Sequence, residues 1–399
     1  MEAVIVATGR TPIGRATKGS LVDCRPDDLS ALIIQALLHK LPALDPAEVE
    51  DVIWGTANPA GESGFNIARV AGILAGIDAP GVTVHRACSS SLQTIRMAAH
   101  TIRAGEGDVF ISGGVETVSR YPKGHANMVE NRNPRFSEAI ERSEARSASG
   151  VPTWEAPADL PDIYIAMGQT AENVAQCYDV SREEMDEFAQ MSQTRAGESM
   201  ASGFFEPEIV PVTLADGTVV STDDCPRPGT TLEVLASLKP AFRPDGRVTA
   251  GNSCPLNDGA AGVILMSDKR ANELGIQPLA RVVATGLSPI NPEIMGLGPI
   301  EACRRALDRA KMTIDDIDLV EINEAFAAQV VPSAKALGID FEKLNVHGGA
   351  IALGHPFGQT GARLMTTLIH SLEDSGGRYG LESMCIGGGQ GMAMIVERL

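Results

Sequence analysis

The chain of 399 residues is 44% hydrophobic and 21% charged, a length and balance that allow two core-forming units or one large domain with an insertion. Its 33 basic and 51 acidic residues leave a formal charge of −18, which repels a phosphate backbone and argues against nucleic-acid binding. Seven cysteines, at 24, 88, 177, 225, 254, 303 and 385, show no C-x-x-C spacing; neither a disulfide framework nor a zinc site is expected, and a reducing cytoplasm fits best.

Met1-Glu-Ala-Val-Ile-Val-Ala-Thr8 reads as a strand from the outset, with no basic leader and no long apolar run. Neither export nor a membrane span is expected, and the final Glu397-Arg398-Leu399 is not the peroxisomal Ser-Lys-Leu address. An amphipathic helix follows, marked by Leu29, Ile33, Ala36 and Leu37; residues 44–56 then give an acidic turn and a short strand. Val84-His85 precedes a helix rich in small residues over 88–104, and a strand starts at Asp108.

Residues 118–250 differ in character. The stretch 121–160 is rich in Arg, Glu, Asn and Pro without a clear period and reads as irregular surface structure. Ser181 and Glu184 then form a capping box that opens a helix through Met185, Phe188 and Met191, ending near Gly203. Beyond 270 the opening order repeats: a helix with Ile300, Cys303 and Leu307, an acidic turn and strand over 312–323, Val346-His347, a helix over about 360–374, and a strand from Glu382. This duplication predicts two α/β halves with mainly parallel buried sheets. The expected division is 1–117, completed by 251–270, then an inserted loop domain at 118–250, then 271–399. Loops inserted over a rigid scaffold commonly bind substrate.

Four short constellations could carry chemistry. Cys88 stands between the strand Val82-Thr-Val84 and a helix whose apolar positions are 92, 95, 99 and 102. A helix N-terminus favours thiolate, so a lowered cysteine pKa is expected, although a buried structural cysteine is compatible with the same pattern. His355 lies in the glycine-rich run Gly348 to Gly361, which matches neither a phosphate loop nor a dinucleotide fingerprint. A histidine held there is a candidate proton acceptor for a thiol. Cys385-Ile-Gly387-Gly-Gly389 ends a strand, and glycines beside a thiol let backbone N–H groups approach a carbonyl oxygen. Asn323-Glu-Ala-Phe326 ends another strand; in isolation it also fits an Asx turn or helix cap.

Together these pieces resemble the thiolase family. So do Gly113-Gly-Val-Glu116-Thr, Met167-Gly-x-Thr170-Ala-Glu172-Asn, Thr249-Ala-Gly-Asn252 and Gly296-x-Gly298-Pro299. The matches keep family order from Thr11-Pro-Ile-Gly14 to Gly391, nearly the whole chain. The resemblance implies a layered αβαβα fold of two similar halves, a loop domain over coenzyme A, and a homodimer or homotetramer. It implies thiolytic cleavage of 3-ketoacyl-CoA and the reverse Claisen condensation, through an acyl group on Cys88. His355 would accept the Cys88 proton and Cys385 would serve the second stage as base. One oxyanion hole would comprise His355 and a water held by Asn323; the other, the N–H groups of Cys88 and Gly387. No metal or organic cofactor is implied, with coenzyme A as substrate or product.

The resemblance also places Arg227 against the nucleotide end of CoA. Phe242 and Met295 would line the pantetheine and acyl region, with Ala325 and Phe326 close to both; Cys254 and Met167 complete the expected CoA contacts. Several positions depart from the family pattern: Ser91 where glycine is usual, Cys254 where serine is usual, His85 where asparagine is common, and Ala166 where short-chain biosynthetic members have histidine. A ketosynthase would replace Cys385 with a different pair of partners, and a non-catalytic acyl-CoA-binding scaffold would have lost at least one of Cys88, Asn323, His355 and Cys385. All four stand in this sequence.

Overall fold

Runs of Val, Ile and Ala too apolar for a solvated sheet face give fully buried strands, and the computed structural model, which describes residues 1–399, stacks them between helices. The first half contains β1 (Ala3–Arg10), β2 (Gly14–Arg15), α1 (Pro26–His39), β3 (Asp51–Gly55), α2 (Ile67–Leu74), β4 (Gly81–Val84), α3 (Ser90–Ala104) and β5 (Val109–Thr117). The chain then leaves the sheet for α4 (Ser137–Ala145), α5 (Met167–Cys177), α6 (Arg182–Ser202), the small hairpin β6 (Val212–Thr213) and β7 (Val219–Val220), and α7 (Leu232–Ala236). It returns through β8 (Asn257–Ser267), which pairs with both β1 and β5, and α8 (Asp268–Leu274).

The second half comprises β9 (Ala280–Pro289), α9 (Gly298–Ala310), β10 (Leu319–Ile322), α10 (Ala327–Leu337), α11 (Ala350–Leu353), α12 (Thr360–Ser375), β11 (Tyr379–Ile386) and β12 (Gln390–Arg398). Strand order across the main sheet is β10-β11-β12-β9-β1-β8-β5-β3-β4, with β2 beside β8. Each half therefore runs outward in the same order from its first strand: β1-β8-β5-β3-β4 and β9-β12-β11-β10. The counterpart of β4 shrinks to one parallel bridge between Val320 and Leu344. The halves meet along β1 and β9, where only Val4 with Arg281 and Ile5 with Ala280 are paired.

The helices form layers. α1 and α2 cover the outer face of the first half over Leu37, Val52 and Trp54. α3 and α12 pack against each other between the two half-sheets, burying Leu92, Ile95, Leu364 and Leu368. α9 and α10 cover the outer face of the second half, where α5 and α6 join them. No helix is long and apolar enough to cross a membrane.

Two expectations need correction. The sheet is not mainly parallel: only β3–β4, β3–β5 and β10–β11 are parallel, while the other pairings in the main sheet are antiparallel. Parallel neighbours need a crossover connection such as a helix, but β12 follows β11 through a tight turn and β8 re-enters between β1 and β5 from the long excursion. The stretch 121–160 is not wholly irregular, since it contains α4, of whose residues only Ala139 and Ser143 are buried. So thin a buried stripe leaves no apolar period to read. The capping box of Ser181 and Glu184 and the left-handed Gly203 that ends α6 are as expected.

Candidate active site

Cys88 sits at a sharp elbow. β4 stops at Val84, Ala87 adopts a left-handed φ of 42°, and a single 3-10 turn over Ala87–Ser89 leads into α3. The Ser90 hydroxyl braces the elbow, accepting from Arg86 N at 2.9 Å and lying 2.7 Å from the Ala87 carbonyl. Ser91 has its own tie: its hydroxyl accepts the Ala362 N–H at 2.9 Å, fastening α3 to α12. The expected lowering of the Cys88 pKa is overturned. Burial pushes the thiol up to about 11; the N–H groups of Gly387 and of Cys88 itself oppose the shift without cancelling it. Desolvation outweighs what the helix start offers, because a thiolate there would be almost wholly cut off from water. Cys88 is therefore a thiol at neutral pH, and would need a base in order to attack a carbonyl.

His355 is fixed from every side. Gly354 has φ 111°, and a side chain there would lie 2.6 Å from the Asn257 amide, so the turn requires glycine. The Asn257 side-chain oxygen Oδ1 accepts the His355 backbone N–H at 2.9 Å. On the ring, Nδ1 lies 2.6 Å from Thr360 Oγ1 and Nε2 lies 3.2 Å from Asn323 Nδ2. Burial, and next the nearby Arg363 charge, push the imidazole down to about 3, so it is neutral and can accept a proton. Three residues on, Glu116 Oε2 accepts the Gly358 N–H at 2.9 Å and the Ala57 N–H at 2.8 Å, linking the histidine loop to the end of β3. Burial raises that carboxyl to about 7.

Asn323 follows β10 and is fully buried; its N–H donates to Ser383 O at 2.9 Å, and its side-chain oxygen has no partner. An orphaned buried amide oxygen beside a histidine is a place for a water or a substrate group. Cys385 is equally buried, and its S–H donates to Gln329 Oε1 at 2.7 Å. Burial, then the neighbouring Cys88 thiol, raise the Cys385 pKa well above the ordinary value. Gln329 also donates to the Asn323 carbonyl at 3.3 Å. Sequence reasoning missed it; six positions after Asn323, near the start of α10, it was legible only as one polar residue in an apolar helix.

Beside these residues opens a cleft of about 510 Å³, lined by Arg227, Phe242 and Cys254 with Arg15, Lys18 and Leu235. Phe242 meets Phe326 edge-on at 6.0 Å between ring centres, and Ala325 O accepts the Cys254 N–H at 3.1 Å. Burial raises the Cys254 thiol, so it is uncharged in the cleft. Arg15 and Lys18 were not foreseen; Arg15 ends β2 and Lys18 follows it, both remote in sequence from Arg227. Met295 does not line the cleft: it is 1% exposed and packs in the outer core of the second half. Met167 reaches toward the Cys385 turn, its sulfur 3.7 Å from where a side chain on Gly387 would begin. With Ala166, Met167 walls a second cavity of about 490 Å³ that runs past Ile140 and Tyr164 to Arg132.

The arrangement brings the Cys88 and Cys385 thiols and the Gly387 N–H together, and joins the neutral His355 ring to them through Asn323 and Gln329. The sequence patterns of the thiolase N-terminal and C-terminal domains match residues 3–269 and 276–398. The chain belongs to the thiolase family. It is 43% identical to a beta-ketoadipyl-CoA thiolase of Acinetobacter baylyi, with both chains covered completely. It is 42% identical to a 3-ketoacyl-CoA thiolase of Bacillus subtilis, over 99% of each. The crystal structure of the Bacillus anthracis acetyl-CoA acetyltransferase superposes with a TM-score of 0.88 at 39% identity, covering 100% of this chain and 99% of that one. This thiolase is an acyltransferase, and the scaffold alternative falls with that assignment.

Proposed function

We propose that this thiolase cleaves 3-ketoacyl-CoA esters with free coenzyme A, and runs the reverse condensation, through an acyl group on Cys88. The observation that carries the reading is the meeting of the two halves at one sulfur: the Gly387 N–H, just past β11, reaches the thiol of Cys88 at the start of α3. In thiolysis the Cys88 sulfur adds to the 3-keto carbon while its proton passes to His355. The bond between carbons 2 and 3 then breaks, and the acetyl-CoA enolate takes the proton of Cys385. CoA thiol next gives its proton to the Cys385 thiolate and attacks the acyl group. Cys88 leaves as thiolate and recovers its proton from His355. A raised pKa keeps Cys385 protonated at rest, the state in which the first stage needs it.

The enolate oxygen would be held by protonated His355 and a water on Asn323; the tetrahedral oxygen by the N–H groups of Cys88 and Gly387. The scheme uses no metal and no organic cofactor, because the thioester itself acidifies the carbon. Arg227, with Arg15 and Lys18, would take the phosphates of CoA at the rim of an otherwise acidic protein. Phe242, Cys254, Ala325 and Phe326 would border the pantetheine, and Met167 the thioester; Met295 would act only through packing. A homodimer or homotetramer in the cytoplasm completes the reading. The outer edge of β4 has no partner strand, and Val82 on it and Phe65 nearby are 38% and 86% exposed, features a second copy would cover.

The cavity behind Ala166 and Met167 suits acyl chains longer than acetoacetyl, since each methylene buried there gains roughly 0.8 kcal/mol. Fatty-acid degradation, or the cleavage of 3-keto acids such as beta-ketoadipate that one relative's name gives, are the settings in which such chains arise. The test is a series of 3-ketoacyl-CoA esters of graded length. A medium-length ester should show the higher kcat/KM, and Ala166→His should shift preference to the shortest. Activity falling steadily from acetoacetyl-CoA upward would instead make this an acetyl-specific enzyme.

A further inference from the structure

Thr360 opens α12 five positions after His355, and its single hydroxyl stands between two groups. Oγ1 is 2.6 Å from His355 Nδ1 and 2.8 Å from the Pro356 carbonyl oxygen. The hydroxyl has one hydrogen to give. Two oxygens 2.8 Å apart without a shared hydrogen would repel, and the Pro356 oxygen can only accept, so the hydroxyl hydrogen points there. Its lone pair is left facing Nδ1, which must then carry the ring hydrogen. The other end of the ring agrees: Asn323 Nδ2 at 3.2 Å can only donate, so Nε2 must accept.

We propose that Thr360 is a positioning residue that fixes His355 in the Nδ1–H form and so presents Nε2 as the proton acceptor. The inference rests on the reading of His355 as base and adds how the base is kept in its working state. The buried imidazole is held at both nitrogens, and the hydroxyl sets which of them carries the hydrogen. When Nε2 takes a proton, the ring becomes a cation and the bond from Nδ1 to Oγ1 becomes charge-assisted, passing part of that charge on to the Pro356 carbonyl. This offsets some of the burial that holds the imidazole low. Without the hydroxyl, the Nδ1 hydrogen would be orphaned, and only the Asn323 amide would be left to oppose the form with its hydrogen on Nε2, where it blocks the base.

The experiment combines two readouts. In protein labelled with 15N-histidine, His355 assigned by its loss in His355→Asn should show Nδ1 protonated and Nε2 bare. Thr360→Val, which keeps the branched shape, should move that signature. It should also slow acylation of Cys88 by acyl-CoA ~10–100-fold, less than the roughly 10,000-fold of a wrong tautomer in a catalytic triad. KM should change little, and Thr360→Ser should restore both. A ring hydrogen on Nε2 in the unsubstituted protein would overturn the proposal even if Thr360→Val did not fold. So would unchanged acylation in folded Thr360→Val. Undiminished acylation in His355→Asn would remove the base reading, and the positioning role with it, whatever the tautomer.

Discussion

α3 and α12 occupy equivalent places in the two halves, side by side in the layer between the half-sheets. Each follows a residue to which the proposed reaction gives a role, Cys88 two positions before α3 and His355 five positions before α12. Their interiors differ sharply. α3 buries Leu92, Ile95, Ala98, Ala99 and Ile102. α12 buries Arg363, Thr366 and Thr367, and Arg363 faces two carboxyls that are register neighbours, Glu321 on β10 and Glu382 on β11. Arg363 Nη1 is 3.9 Å from Glu321 Oε2, too far for a hydrogen bond, and neither the Arg363 guanidinium nor the Glu382 carboxyl has a hydrogen-bonding partner. Both helices bury apolar residues, Leu364, Met365 and Leu368 on α12 among them, but only α12 adds a buried charge. The thiol end is governed by desolvation, the imidazole end by desolvation and the positive charge of Arg363 together.

The largest effect expected from this contrast comes from separating the two thiols. Cys88→Ala should abolish both thiolysis and condensation and leave no acyl adduct by intact mass. Cys385→Ala should still become acylated at Cys88 yet turn over ~100–10,000-fold more slowly, the usual cost of losing one acid–base group. An adduct on another cysteine, or normal turnover without Cys385, would break the division of labour.

A smaller effect tests the desolvated thiol. With its pKa near 11, the reaction of Cys88 with iodoacetamide should keep rising with pH, about tenfold per unit, because only thiolate attacks. A plateau near neutrality would restore the lowered pKa that the helix start alone suggests. Protonation of His355 should leave no inflection between pH 5 and 8, since it falls near 3.

The smallest effect probes the charged side. Burial raises Glu321 to about 8 and holds Glu382 well above the ordinary carboxyl value. Both bind protons more tightly folded than unfolded, so their contribution to stability is complete below about pH 4.3, the unfolded pKa. It is lost as pH rises toward 8. Glu382→Gln should therefore raise Tm by roughly 2–4 °C at pH 8, the shift that ~1 kcal/mol gives a large domain. Scans at pH 5 should show little gain; an equal gain at both would mean that ionisation is not the cause.

How much of this was legible depended on whether a residue's role is local. The duplicated order, the capping box of α6 and the buried cluster of Cys88, Asn323, His355 and Cys385 lie in short motifs, and each motif carries its own turn chemistry. Strand direction was not legible where β8 and β12 arrive by routes other than a helix crossover. The Cys88 pKa was misread because a helix start is visible in sequence whereas the depth at which it is buried is not. Gln329 and Thr360 sit within quoted motifs or just past them, yet what each touches depends on a neighbouring turn and strand. Arg15 and Lys18 join Arg227 only when the chain has folded back from more than half its length away.

The seam between the halves has a consequence for how the chain must assemble. β1 and β9 share only two paired positions, a contact too slight to hold two sheets together. The binding surface is instead the helical middle layer, and each half supplies one of its helices. Neither half can bury its inner face alone: the first would leave Leu92 and Ile95 bare, the second Leu364 and Leu368. Cut between α8 and β9, the chain should give two fragments that are sticky apart and that regain activity only when mixed.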